Sequence, residues 1–193
     1  MQDLYNNITA IYPHAQIWLT GHSLGGSLAA LLSLTFGVPS VSFESPADAL
    51  PARRLHLPRP PAPNNLTTHV YHTADPIAMG TCNGVTSSCA LAGFAFETRC
   101  HVGQSIVYDS VGRLGWAVDV RTHSIQRVIE GLLVEDWGVK KVSAEGGETW
   151  PGNKEDKGGD GPVGDDGQHS GRGVPDAVVE QDCESECFRW SFE

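Results

Sequence analysis

A serine, an aspartate and a histidine stand in an order that could carry covalent ester chemistry: Ser23, Asp75 and His123. Ser23 lies in Gly21-His22-Ser23-Leu24-Gly25-Gly26. A serine hydroxyl attacks a carbonyl only when a base takes its proton and a third group orients that base. The residues before it, Ala15 to Thr20, form a short apolar run with β-formers, and those after it, Ser27 to Leu34, are helix formers. Strand, sharp turn and helix together lift a serine hydroxyl clear of a sheet. Gly21 and Gly25 are expected to flank the turn because side chains there would strike the neighbouring strand and helix. The helix start aims free N–H groups at the site, and the N–H of Leu24 is the natural first oxyanion donor.

The bare G-x-S-x-G pattern also arises as a glycine-rich turn with a solvated serine, so an acid and a base must follow it. Thr67 to His72 reads as a strand and runs into Thr73-Ala74-Asp75-Pro76, which places Asp75 just beyond the strand, before a proline that ends pairing. Trp116 to Thr122 reads as extended and leads to His123. Ile125, Val128, Ile129, Leu132, Leu133 and Trp137 then follow helical spacing. His123 is thus the expected general base, oriented by Asp75. The rival histidines are His14, His22, His56, His69, His72, His101 and His169. His22 points away from the nucleophile, His69 and His72 fall on a buried strand, and His101 is the serious competitor. Asp48, Asp109 and Asp119 compete with Asp75, although Asp119 also reads as a partner for Arg121.

The runs GHSLGG, HTADPIAMGTCNG, ETRCH and YDSVGRLGWAVDVRTHSIQRVIEGLL resemble the fungal autophagic-body lipases, class 3 lipases of the α/β-hydrolase superfamily. The resemblance extends over residues 1 to about 137. It implies a mostly parallel sheet flanked by helices, with nucleophile, acid and base on Ser23, Asp75 and His123. It implies hydrolysis of phospholipid and triacylglycerol esters without a cofactor, at a membrane surface. It also implies phosphoinositide binding and a type II anchored protein travelling through multivesicular bodies to the vacuole lumen. Against that family pattern the chain reads as truncated at its N-terminus, without the anchor, the early strands, the lid and the second oxyanion donor, so a bare sheet edge is expected.

Composition separates two regions. The 193 residues carry a formal net charge of −10. Residues 144 to 193 hold 13 acidic and 4 basic residues, whereas residues 1 to 143 are nearly balanced. The expected division is a partial hydrolase domain over 1–143 and an acidic, glycine-rich tail over 144–193, disordered from 144 to 181 because it has too little apolar surface to fold. No basic stripe favours nucleic acid. Five cysteines are present. Cys82 and Cys89 are placed to close the loop beside the acid, or are reduced buried thiols. Cys183 and Cys187 could form a disulfide, and without further ligands nearby no metal site is expected. The sequons at Asn7 and Asn65 favour a lumenal, oxidising setting.

The expected elements are a helix over 2–11, strands over 15–20, 40–44 and 67–72, helices over 24–36 and 47–55, a β-pair over 93–98 and 102–108, and a helix over 123–136. That alternation indicates an α/β sheet. Two other readings stand beside a lipase: a peptidase or thioesterase on a similar scaffold, and a non-catalytic remnant that binds lipid or a partner.

Overall fold

The computed structural model describes residues 2–61, 64–81, 91, 98–137 and 173–180. Helix α1 (Gln2–Ile11) precedes strand β1 (Leu19–His22), and helix α2 (Leu24–Phe36) returns the chain to strand β2 (Ser40–Phe43). A short helix, α3 (Ala49–Arg54), leads to strand β3 (Thr67–His72), followed by strand β4 (Gln104–Tyr108) and helix α4 (Ser110–Leu114). The strands lie side by side in chain order, β1 to β4 all parallel. This is the expected α/β architecture, with helices carrying the chain back between parallel strands.

Local chemistry explains the elements that hold the site. Helix α2 is built from Leu and Ala and buries Ala29, Ala30, Ser33 and Leu34. It stops where Gly37 takes the left-handed conformation and its N–H returns to the Ser33 carbonyl, 2.8 Å away. Strand β1 begins at Leu19 rather than at residue 15, because its partner β2 begins only at Ser40, and the ladder opens with Leu19 opposite Ser40. That shift carries the strand through Gly21 and His22 to the foot of the serine turn. Among the described residues β1 is the outer strand. An apolar groove of about 440 Å³ lies beside it, lined by Leu4, Tyr5, Ile8, Trp18 and Leu32 among others.

Among the described residues two clusters form the core. One joins Ala30 and Leu34 of α2 to Ala49 and Ala52 of α3, with Cys100 and Val102. The other joins Val70, Tyr108, Val128, Leu132 and Trp137. Val128 and Leu132 are fully buried, and each contributes roughly 1.5–3 kcal/mol by leaving water. This second cluster anchors the segment that carries His123.

The expected helix over 123–136 is shorter and more irregular. His123 ends a 3₁₀ turn (Val120–His123), and after Ser124 the chain forms one α-turn (Ile125–Arg127) that widens into a π-turn (Val128–Leu132). The Trp137 indole N–H caps the Leu132 carbonyl at 2.9 Å, and the Arg113 guanidinium holds the Trp137 carbonyl at 2.7 Å. These contacts close the helix early.

The reading of 144–193 as a disordered tail needs correction over 173–180. Ala177–Val178 forms strand β5, antiparallel on β4. Glu180 supplies the physical reason. Its carboxylate lies 2.9 Å from His101 Nδ1, and it accepts hydrogen bonds from the His101 N–H, the Tyr71 hydroxyl and the Ser105 hydroxyl. Hydrogen bonds from these groups outweigh burial and hold the Glu180 carboxyl at about 2. Burial would lower His101, but the hydrogen bond and charge of Glu180 outweigh it and raise the imidazole. The expected β-pair resolves as β4 alone, because residues 93–97 lie outside the described ones. Cys100 is disulfide-bonded; the expected Cys82–Cys89 and Cys183–Cys187 pairs lie outside the described residues.

The signs of those two shifts set a pH window for the attachment of the segment that carries β5 and Glu180. His101 stabilises it fully below the ordinary imidazole value of 6.5, and the contribution is lost as pH rises through its raised folded value. Glu180 contributes above its ordinary 4.5, and that contribution is lost as pH falls toward about 2. Glu180→Gln is therefore expected to cost roughly 2 kcal/mol in mildly acidic buffer, between those ordinary values, and distinctly less on the alkaline side. Urea unfolding at the two pH values measures it, and an equal cost at both would contradict this account.

Candidate active site

The turn between β1 and α2 is strained at the serine. Ser23 has φ 56° and ψ −131°, a conformation that a non-glycine residue rarely adopts. Its backbone N–H bonds the Phe43 carbonyl of β2 at 3.0 Å, and its carbonyl accepts the first N–H bonds of α2 from Gly26 and Ser27. The turn is so tight that a Cβ on Gly21 would run into the carbonyl of Gly25. The expectation for Gly25 itself fails, because a Cβ there meets open space. Gly26 is the second crowded position, where a Cβ would sit 2.9 Å from the Ser45 Cβ and 3.0 Å from that of Ser42. Gly21→Ala is accordingly expected to destabilise the chain by about 3 kcal/mol or more, since the obstacle is backbone and cannot swing away. Gly25→Ala, in the first turn of a helix, is expected to gain up to ~1 kcal/mol. Thermal unfolding followed by circular dichroism separates the two, and equal melting points would refute the assignment of crowding.

The structure brings Ser23, Asp75 and His123 into one hydrogen-bonded chain. His123 Nε2 lies 2.7 Å from Ser23 Oγ, and His123 Nδ1 lies 2.6 Å from Asp75 Oδ2. An ionised carboxylate only accepts, so Nδ1–H donates to Asp75, and the free lone pair of Nε2 faces the serine hydroxyl. The Asp75 carboxylate is fully buried and accepts a further bond at Oδ1 from the Ile77 N–H, 2.9 Å away. Burial alone would raise its pKa; hydrogen bonds from His123 and Glu44 outweigh burial and hold it below the ordinary value.

The histidine loop is held from two further sides. His22 Nε2–H donates to the His123 carbonyl at 2.8 Å, and His72 Nε2–H donates to the Thr122 carbonyl at 3.2 Å. The Thr122 hydroxyl donates to the Ala74 carbonyl, tying the loop to the segment that carries Asp75. Burial lowers the His72 imidazole, in keeping with its Nδ1 accepting a bond from the Ala74 N–H. Sequence reasoning set His22 and His72 aside as catalysts and missed this role. The signal for His22 was its place beside Ser23; His72 gave none, because its partner lies 50 residues away.

The rivals are accounted for elsewhere. His101 is occupied by Glu180 and by the Ser45 carbonyl. His69 is fully buried, with Nδ1 within hydrogen-bond distance of the Ser42 and Ser45 hydroxyls; burial pushes its pKa well down. Asp48 accepts the Val102 N–H, and burial raises it to about 7. Asp109 caps Gly112 at the start of α4, and Asp119 pairs with Arg121 at 2.7 Å. Leu24 opens α2 with its side chain exposed. Asn7 is exposed on α1, while the Asn65 side-chain oxygen accepts the Thr67 N–H. No described helix is long and apolar enough to cross a membrane.

A family model described as "Lipase (class 3)" matches residues 1–45, the stretch that contains the serine turn. Proteins named "Putative lipase ATG15" are similar over far more of the chain. The one from Cryptococcus neoformans var. neoformans serotype D is 47% identical over 226 residues, covering 98% of this chain and 42% of the relative. That from Mycosarcoma maydis is 42% identical over 98% of this chain and 41% of the relative. That from Eremothecium gossypii is 55% identical over 68% of this chain and 25% of the relative. The chain thus spans about two fifths or less of the length of these relatives. The crystal structure of Lip2 lipase from Yarrowia lipolytica overlaps 56% of this chain and 38% of its own at TM-score 0.34 and 18% identity. The parallel sheet with a strained serine at the strand-to-helix turn is the architecture of an α/β-hydrolase, and over nearly its whole length the chain is a relative of the fungal proteins named putative lipase ATG15, with the class 3 lipase match falling on residues 1–45.

Proposed function

We propose that this chain carries the catalytic triad of a serine lipase that hydrolyses the carboxylic esters of membrane phospholipid and triacylglycerol. The observation that supports it is the chain Ser23–His123–Asp75, at 2.7 and 2.6 Å. His123 takes the Ser23 proton as the hydroxyl attacks the acyl carbonyl. The resulting oxyanion meets the N–H of Leu24 at the start of α2. The imidazolium, steadied by Asp75, returns its proton to the leaving alcohol, and the acyl group stays on Ser23. Water activated by His123 then releases the fatty acid. Exposed Leu24, Val118 and Val120, near Ser23 and His123 in sequence, suit a lipid surface rather than a water-soluble ester.

By the resemblance to the fungal autophagic-body lipases, we extend the proposal to lysis of membrane vesicles delivered to the vacuole lumen, with anionic phosphoinositides among the lipids met there. The test is direct. The protein is treated with a fluorophosphonate, digested, and the modified residue located by mass spectrometry; it is then assayed on triolein emulsions and on phosphatidylcholine vesicles with and without phosphoinositide. Modification at Ser23 with fatty-acid release supports the lipase. Modification with turnover only of soluble esters or thioesters supports an esterase of another class. Because the chain spans 42% of its Cryptococcus relative, lipid binding without modification would favour a non-catalytic binding role.

A further inference from the structure

At position 44, between β2 and Ser45-Pro46, every local rule argues against a glutamate. Glu44 has φ 45°, in the left-handed region where glycine is at ease and other residues are strained. Its side chain is fully buried. Burial first, and then the neighbouring Asp75, push the carboxyl up to about 11, so it is a neutral acid at any physiological pH. On stability alone a glycine would serve better.

The surroundings of its two oxygens show what the carboxyl does. Oε2 accepts only a long bond, 3.4 Å, from the His72 N–H. Oε1 receives no hydrogen bond from any described donor. The Glu44 carboxyl nonetheless lies against that of Asp75, close enough for a hydrogen bond between the two. Two carboxyl groups can form one only when one of them carries a proton. Asp75 already accepts at both oxygens, from His123 Nδ1–H and from the Ile77 N–H, so the proton belongs to Glu44. The titratable groups facing the pair are His72 and Tyr71 of β3 and His123.

We propose that Glu44 is a positioning residue for the reaction: its carboxyl O–H donates to the Asp75 carboxylate and fixes the orientation in which Asp75 holds His123. This rests on the serine-hydrolase reading above. It makes position 44 a place where stability has been given up for the geometry of the triad.

Glu44→Gly and Glu44→Gln in the 193-residue chain test it, with wild type alongside. Three quantities are read: the melting temperature, the rate of fluorophosphonate labelling at Ser23, and the low-field NMR resonance of the His123 Nδ1–H. Glu44→Gly is expected to melt no lower than wild type, to label about tenfold more slowly, the scale found for outer-shell partners of ligating histidines, and to move the resonance. Glu44→Gln keeps an N–H donor and is expected to label within about threefold of wild type with the resonance in place. Its stability advantage should grow as pH rises above 4.5, because the wild-type side chain ionises there only in the unfolded chain.

A glycine variant with wild-type rate and an unmoved resonance overturns the proposal, as does a glutamine variant as slow as the glycine one. If Glu44→Gly does not fold, the glutamine variant still decides. If wild type itself is not labelled, the hydrolase reading fails, and the resonance alone decides the role of Glu44.

Discussion

Ser23→Ala is expected to abolish fluorophosphonate labelling and to lower ester hydrolysis by about 10⁶-fold, the scale at which loss of a triad nucleophile acts in serine hydrolases. The fold should survive it. Among the described residues the Ser23 hydroxyl bonds only His123 Nε2, and the backbone bonds of the turn, to Phe43, Gly26 and Ser27, do not use the side chain. Alanine is strained at φ 56° just as serine is, so the melting temperature should hardly move. Ser23→Gly would be equally inactive but should melt higher, by an increment on the order of 1 kcal/mol, because glycine accepts that backbone without strain. Inactivity joined to a higher melting point is what a nucleophile elbow predicts and a simple surface serine does not. Labelling of Ser23→Ala at the wild-type rate would place the nucleophile elsewhere.

The difference between what could be read in the sequence and what could not follows the range of the interactions involved. Helix α2 and its end were legible because their causes are local: Leu and Ala within, and Gly37 as the left-handed stop. Ser23, Asp75 and His123 were legible as candidates because each stands at a junction between elements, where side chains are both exposed and held. The spacing rules say nothing about which elements meet. His22 and His72 hold the two carbonyls of the His123 loop across 101 and 50 residues, and no local pattern encodes that.

Two misreadings have the same origin. The segment 173–180 sits in a polar, glycine-rich stretch, whose composition argues for disorder. It is ordered by the edge of β4 and by the pairing of Glu180 with His101, 79 residues away. In the serine turn the motif identifies glycines without showing which of them faces a neighbour. Gly21 and Gly26 are crowded by backbone and by the Ser42 and Ser45 side chains, whereas Gly25 opens onto the groove beside β1. Glu44 was invisible for a related reason. Its local sequence, Ser-Phe-Glu-Ser-Pro, reads as a strand running into a turn, and only the packing of β2 against β3 shows that its carboxyl is buried beside Asp75.

Asp75→Asn is the second large effect expected, about 10⁴-fold in the rate of acylation with the backbone geometry retained. The carboxylate does two things that an amide cannot do together. As a pure acceptor it forces the proton of neutral His123 onto Nδ1, leaving Nε2 free to take the serine proton. As an anion it stabilises the imidazolium that forms when that proton moves. An asparagine can turn its NH₂ toward Nδ1, and the proton then sits on Nε2, where it blocks the base. The depressed pKa of Asp75 sharpens the test. Its contribution to stability is present above the ordinary 3.8 and is lost only as pH falls through the lower folded value, so acid loss of activity above that range does not come from Asp75. Glu44 enters the same cycle. If it acts through Asp75, Glu44→Gly should add little further loss of rate in the Asp75→Asn background, whereas two independent roles would multiply. Single and double variants compared by fluorophosphonate labelling give the coupling directly, and a loss below about tenfold for Asp75→Asn itself would remove Asp75 from the reaction.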